Sequence, residues 1–115
     1  MFVSHRDEIE KKRLSHPEMK GVEKQILIGP DEGWQDHVMR LFTLDSGGCA
    51  PRHAHRWPHI MYALEGKGNL FMDGKDYPLT PGSVAYVPAD IDHQVSNAGE
   101  ASFVFMCIVP KIGEA

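Results

Sequence analysis

The stretch Gly47–Gly66, GGCAPRHAHRWPHIMYALEG, sets His53, His55 and His59 between two glycines in the pattern G-x5-H-x-H-x3-H-x6-G. On a strand, residues i and i+2 project to the same face, so His53 and His55 offer two imidazoles side by side. His59 reaches the same point after a short turn through Arg56, Trp57 and Pro58. A second stretch, Gly82–Asn97 (GSVAYVPADIDHQVSN), supplies His93 from a distant strand, so that four nitrogens surround one ion. A lone buried histidine is more often a hydrogen-bonded structural residue than a ligand, and His5, His16 and His37, without partners at ligand spacing, read that way. Four at these spacings read as a metal centre.

Working outward, turn signals recur about every eight residues: Gly47-Gly48, Gly66-Lys67-Gly68, Asp73-Gly74, Pro81-Gly82, Ala89-Asp90 and Asn97-Ala98-Gly99. The runs between them, His37–Leu44, Ile60–Leu64, Leu70–Met72, Val84–Val87 and Phe103–Val109, are rich in β-branched and aromatic residues. This rhythm predicts an all-β sandwich or barrel with little room for helices. Asp73-Gly74 predicts a two-residue hairpin of the I′ type. Gln25–Ile28 reads as a strand that pairs with the barrel of the same chain or with a partner. Residues 1–21 form a polar extension: Ser4 is a possible cap for a short helix, but with only Ile9 and Leu14 apolar, a solvated arm is the better expectation. The barrel domain is placed at 22–115.

Composition narrows the function. The 115 residues carry 12 Lys+Arg against 16 Asp+Glu, a formal charge of −4 with no long run of one sign, so no electrostatic footprint for nucleic acid is present. Neither an apolar leader nor a membrane-length apolar stretch is seen, and the expected compartment is the cytoplasm. Cys49 and Cys107 are too few for a disulfide framework and read as reduced thiols.

The two histidine stretches resemble the paired signatures of the cupins, G-x5-H-x-H-x3,4-E-x6-G and G-x5-P-x-G-x2-H-x3-N. Gly47, His53, His55, Gly66, Gly82, Pro88, His93 and Asn97 match, and the linker from Lys67 to Pro81 has the minimal cupin length. Two positions depart: His59 stands where most cupins have glutamate, and Asp90 where they have glycine. The segments Gly21–Gly29, Val38–Thr43 and Pro110–Glu114 extend the resemblance to the small four-histidine, manganese-binding single-domain cupins of thermophilic bacteria. The resemblance implies a jelly roll (double-stranded β-helix), packed as a homodimer, with one manganese per chain in the barrel mouth.

On chemical grounds, imidazole suits Zn, Cu, Fe, Ni, Co and Mn, whereas a site without carboxylate is poor for Mg²⁺ and Ca²⁺. Four protein ligands in an octahedron leave two positions for water, O₂ or substrate, the mark of a catalytic metal. With neutral ligands the centre keeps its +2 charge, which favours a small anionic ligand.

Alternation along the strands assigns the walls: His59 brings Met61 and Ala63 inward and leaves Ile60, Tyr62 and Leu64 outside, while His93 brings Val95. On the last strand parity leaves two choices, and the resemblance favours the odd set, with Phe105 and Cys107 near the metal or simply filling the barrel. Arg40 either anchors a substrate carboxylate or, the favoured reading, makes an ion pair or marks a strand edge. Trp57 shields the mouth or lies at a subunit contact, and Glu65 is expected as a solvated strand-end residue. With no other strong acid or base, catalysis rests on the metal. The expectation is a dioxygenase-like oxidoreductase acting on a small oxygen-bearing or anionic molecule; the alternatives are a non-redox isomerase or decarboxylase, or a binding module without turnover. A homodimer is expected on physical grounds too, since a jelly roll leaves sheet edges and an apolar outer face, with Gln25–Ile28 the candidate for an exchanged strand.

Overall fold

Nine strands make up most of the chain, and glycine- or proline-bearing turns separate many of them. In the computed structural model, which describes residues 1–114, the strands are β1 (Lys12–Arg13), β2 (Lys20–Ile28), β3 (His37–Cys49), β4 (His59–Glu65), β5 (Gly68–Met72), β6 (Lys75–Leu79), β7 (Val84–Val87), β8 (His93–Asn97) and β9 (Phe103–Pro110). Every ladder is antiparallel, in the order β6-β5-β8-β3-β9-β4-β7, with β2 and then β1 branching from β3. The 13-residue β3 is the seam. It pairs β2 along one edge and β9 along the other, and its end crosses to β8 at Cys49↔Ser96, which curls the sheet into the nearly closed barrel of a jelly roll.

The alternation read from the sequence appears in the burial. His59, Met61 and Ala63 are buried on β4 while Ile60, Tyr62 and Leu64 are exposed, and the odd set Phe103, Phe105, Cys107 and Val109 of β9 lies in the core with Val95 of β8. The hairpin between β5 and β6 pairs Met72 with Lys75, and Asp73 (φ 51°) and Gly74 (φ 81°) both have the positive φ that a I′ turn requires.

Three expectations need correction. Gly47-Gly48 does not end a strand: β3 runs through it, with a register shift against β2 between Lys20 and Val22. A side chain at Gly48 would meet the carbonyl oxygens of Asp45 at 2.7 Å and Lys20 at 2.9 Å, so glycine here admits close backbone approach instead of a turn. Ser4 caps no helix; a single 3₁₀ turn at Arg6–Glu8 is capped by His5, whose Nδ1 accepts from the Asp7 N–H at 3.1 Å. Finally, the N-terminal arm is exposed along most of its length but docked. β1 pairs with β2, Leu14 packs on the core, and the buried Gln25 side chain donates to the carbonyl oxygens of Arg6 (2.6 Å) and Ile9 (3.0 Å). Hydrogen bonds hold it, so its low hydrophobicity gave no sign of the docking. Gln25–Ile28 itself belongs to β2, which pairs within the chain to β3.

Candidate metal centre

His53 and His55 do not sit on a strand, contrary to the reading from their spacing. They lie in an extended loop between β3 and β4, where an isolated bridge joins His53 to His93: each N–H donates to the other's carbonyl oxygen at 3.0 Å. The loop is held at a second point, since the Asp90 N–H donates to the His55 carbonyl oxygen at 2.6 Å. Asp90 has φ 64°, the left-handed conformation that glycine favours. The departure from the cupin pattern therefore changes the residue and keeps the turn. His59 opens β4 and His93 opens β8.

These elements bring the four rings together. Ligating nitrogens of His53, His55 and His93 all lie within 4.8 Å of one another. The His59 ring stands 4.7 Å from that of His55 and 5.1 Å from that of His93, centroid to centroid. His93 Nδ1 faces the Ile91 carbonyl oxygen at 2.9 Å; because a carbonyl only accepts, Nδ1 is the donor, and Nε2 is the ring atom left to meet a metal. His59 Nδ1 lies 3.2 Å from the Cys107 sulfur, and its Nε2 is buried without a hydrogen-bond partner among the described residues. His59 stands outside that set of three nitrogens, but an orphaned, buried imidazole nitrogen on an adjacent ring is a polar atom that an ion would satisfy. The residues thus fit a metal.

Protonation favours ligation. Burial, then the proximity of His53, His93 and Arg40, lowers the pKa of His55 to about 4. The same burial, followed by His55, Arg40 and the other rings, takes His59 to about 3, and His53 is lowered by burial and by His93. All three are neutral at pH 7, with lone pairs free. Cys107 is raised by burial against the opposing pull of Arg40, so it is a thiol.

A cavity of about 240 Å³ opens from the rings, walled by Phe42, Leu44, Met61, Val95 and Phe105. Phe105, Cys107, Met61 and Arg40, the pocket candidates, all line it. Arg40, only 8% exposed, faces the pocket and makes an ion pair with Glu114, as the favoured reading expected. Its guanidinium lies 5.0 Å over the Phe42 ring and 3.3 Å from the Cys107 sulfur. Trp57 stacks on His55 at 4.9 Å, with 7° between the planes, and packs on Gly113. Glu65 faces solvent and pairs with Arg6 at 2.6 Å, away from the site. His5 and His16 cap local backbone and His37 stacks on Trp34. Sequence reasoning missed Lys24 and Glu114, which bond to each other at 2.6 Å on the pocket wall; 90 residues separate them, and nothing local marks either.

Comparison with known proteins agrees with this geometry. The family model for the cupin domain matches residues 40–109. Among curated proteins, a glucose-6-phosphate isomerase of Thermococcus onnurineus is 38% identical over 56 residues, 44% of this chain and 30% of that protein. An oxalate-binding protein of Thermotoga maritima is 30% identical over 74 residues, 61% of each chain. The chain therefore matches less than two thirds of either relative's length. Among solved structures, the polyketide cyclase RemF of Streptomyces resistomycificus superposes with a TM-score of 0.89 at 25% identity, covering 96% of this chain and 79% of that one. With the barrel, the paired histidine stretches and a match spanning most of its length, this chain belongs to the cupin family.

Proposed function

We propose that this chain is a mononuclear metal enzyme that binds a small anionic, oxygen-bearing substrate at His53, His55, His59 and His93 and oxidises it with O₂. The observation that carries the reading is the convergence of His53, His55 and His93 on a largely apolar cavity, with the His59 ring beside them and its buried Nε2 orphaned among the described residues. A divalent transition metal there, with manganese the expectation and Fe, Ni, Cu, Co and Zn also suited to imidazole, would supply Lewis acidity and open positions for oxygen ligands. The protein's own part is to hold His53, His55 and His59 neutral, to exclude water with Met61, Phe42 and Phe105, and to orient His55 by the stacked Trp57 ring. Oxidation is placed before isomerisation because proton shuttling needs a free base in the pocket. Glu114, the one carboxylate among the described lining residues, is held by Lys24 and Arg40.

The second reading, a non-redox isomerase or decarboxylase, draws support from relatives named as an isomerase and a cyclase. An oxalate-binding relative keeps a binding module without turnover in view. Protein prepared without added metal is to be analysed for metal, then screened with small hydroxy- and keto-acids with and without oxygen. The proposal expects one transition metal per chain and an oxygen-dependent turnover that His55→Ala abolishes. Turnover that persists without oxygen and after exchange to zinc would establish the second reading instead.

We further propose a homodimer in the cytoplasm. No helix among the described residues is long and apolar enough to cross a membrane. The outer face of β4 and β7 leaves Ile60, Tyr62, Val84 and Tyr86 uncovered.

A further inference from the structure

Three charged side chains on the pocket wall have no part in holding a metal. Lys24, Arg40 and Glu114 line a cavity whose other walls are histidine, a thiol and mainly apolar side chains. Two cations share one carboxylate, and they share it unevenly: Lys24 Nζ donates to Glu114 Oε2 at 2.6 Å, whereas Arg40 Nη1 stands 3.4 Å from Oε1. What remains to Arg40 is weak. Its Nη2 faces the Cys107 sulfur at 3.3 Å, and its Nε is buried with no partner among the described residues. A guanidinium has five N–H donors, and one long carboxylate contact and a thiol leave most of them unanswered. The triad carries a net positive charge inside a largely apolar wall, a costly arrangement unless an anion completes it. The Cys107 sulfur touches both this cation and the His59 ring, 3.3 Å from one and 3.2 Å from the other.

We propose that Arg40 receives a carboxylate of the ligand, whose other carboxylate sits at the four-histidine centre, so that the pocket is built for a short-chain dicarboxylate. The incoming group takes Arg40 from Glu114, which stays on Lys24. Glu114 in this structure occupies the place of the ligand's own carboxylate, as an internal competitor. The far end of the ligand rests on the metal-centre reading; the Arg40 end does not. Release of Glu114 from Arg40 also disturbs its neighbour Gly113, where even a methyl group would fall 2.6 Å from Trp57 Nε1. Trp57 emission therefore reports the exchange.

The test uses the full chain in a Trp34→Phe background, manganese-loaded and metal-free, titrated with acetate, malonate and succinate by calorimetry and by Trp57 fluorescence. In loaded protein, malonate or succinate should bind about tenfold or more tightly than acetate, the worth of one charge-assisted pairing, and should shift the emission. Arg40→Gln should erase that margin and the shift while leaving acetate affinity within about threefold, and Glu114→Gln should tighten the diacids severalfold by removing the competitor. A folded, metal-loaded Arg40→Gln protein that keeps the margin overturns the proposal. Should Arg40→Gln fail to fold, Glu114→Gln decides: unchanged or weaker diacid binding overturns it. Failure of the metal-centre reading looks different, since the native protein would then retain no manganese, and acetate and the diacids would bind metal-free protein alike, through Arg40 alone.

Discussion

Cys107 touches the site from behind. Its sulfur meets His59 Nδ1 at 3.2 Å and Arg40 Nη2 at 3.3 Å, so the tautomer with the His59 proton on Nδ1, held by this sulfur, leaves Nε2 free for a metal. Groups that orient a metal-bound histidine are worth about ten- to a hundredfold in metal affinity. Cys107→Val should therefore weaken metal binding by about tenfold or more in a chelator competition, while Cys107→Ser, which still accepts the N–H, should stay within a few-fold. The lowered histidine pKa values set the response to acid. His55 and His59 titrate near 4 and 3 in the folded chain against 6.5 in the unfolded one, so between those limits the unfolded state binds more protons. Stability of the metal-free protein should be full above pH 6.5 and fall steadily as pH drops toward 4, seen as a declining Tm; a Tm that rises over that interval would contradict the burial of these rings. At this scale the sequence was most legible for the histidines and the inward set of β4, because spacing and period 2 act locally. Arg40 was legible only as an alternative. Its partner Glu114 lies 74 residues away, and which groups a barrel wall brings together is decided by closure of the sheet.

Among the elements, the turn between β4 and β5 tolerates the least change. Gly66 has φ +79°, and a Cβ there would collide with the Ser102 carbonyl oxygen, while a Cβ at Gly68 would strike the Phe103 ring. Gly66→Ala combines a left-handed backbone with a steric clash, and should destabilise the protein by on the order of 2–4 kcal/mol in denaturant unfolding. The strands and the I′ hairpin were readable because β-branched runs and Asp-Gly carry their own conformational preference. The bulged course of β3 through Gly47-Gly48 was not, since glycine signals a turn and a close approach equally well. Nor was the docking of the N-terminal arm, which depends on one glutamine side chain, Gln25, reaching backbone carbonyls 16 and 19 residues away.

For the whole molecule, the outer face of β4 and β7 is the feature a single chain leaves unresolved. Ile60 opposes Tyr86 and Tyr62 opposes Val84 across the ladder, and Ile60, Tyr86 and Val84 are 53%, 60% and 73% exposed. Covering this strip accounts for the proposed homodimer. Light scattering should give twice the chain mass at micromolar concentration, and Tyr86→Asp should shift it to the monomer without loss of bound metal. The whole molecule also explains how ligands from two distant stretches meet. His53 and His93 are stitched together by their own main chains, at 3.0 Å in both directions, and that stitch involves no ion. A metal bound there would accordingly sit on a scaffold that closes without it, unlike the ion of a domain that unfolds when stripped. Which element such a scaffold carried would then follow from supply, and a shift in that supply would change the chemistry of the pocket with no change in the protein.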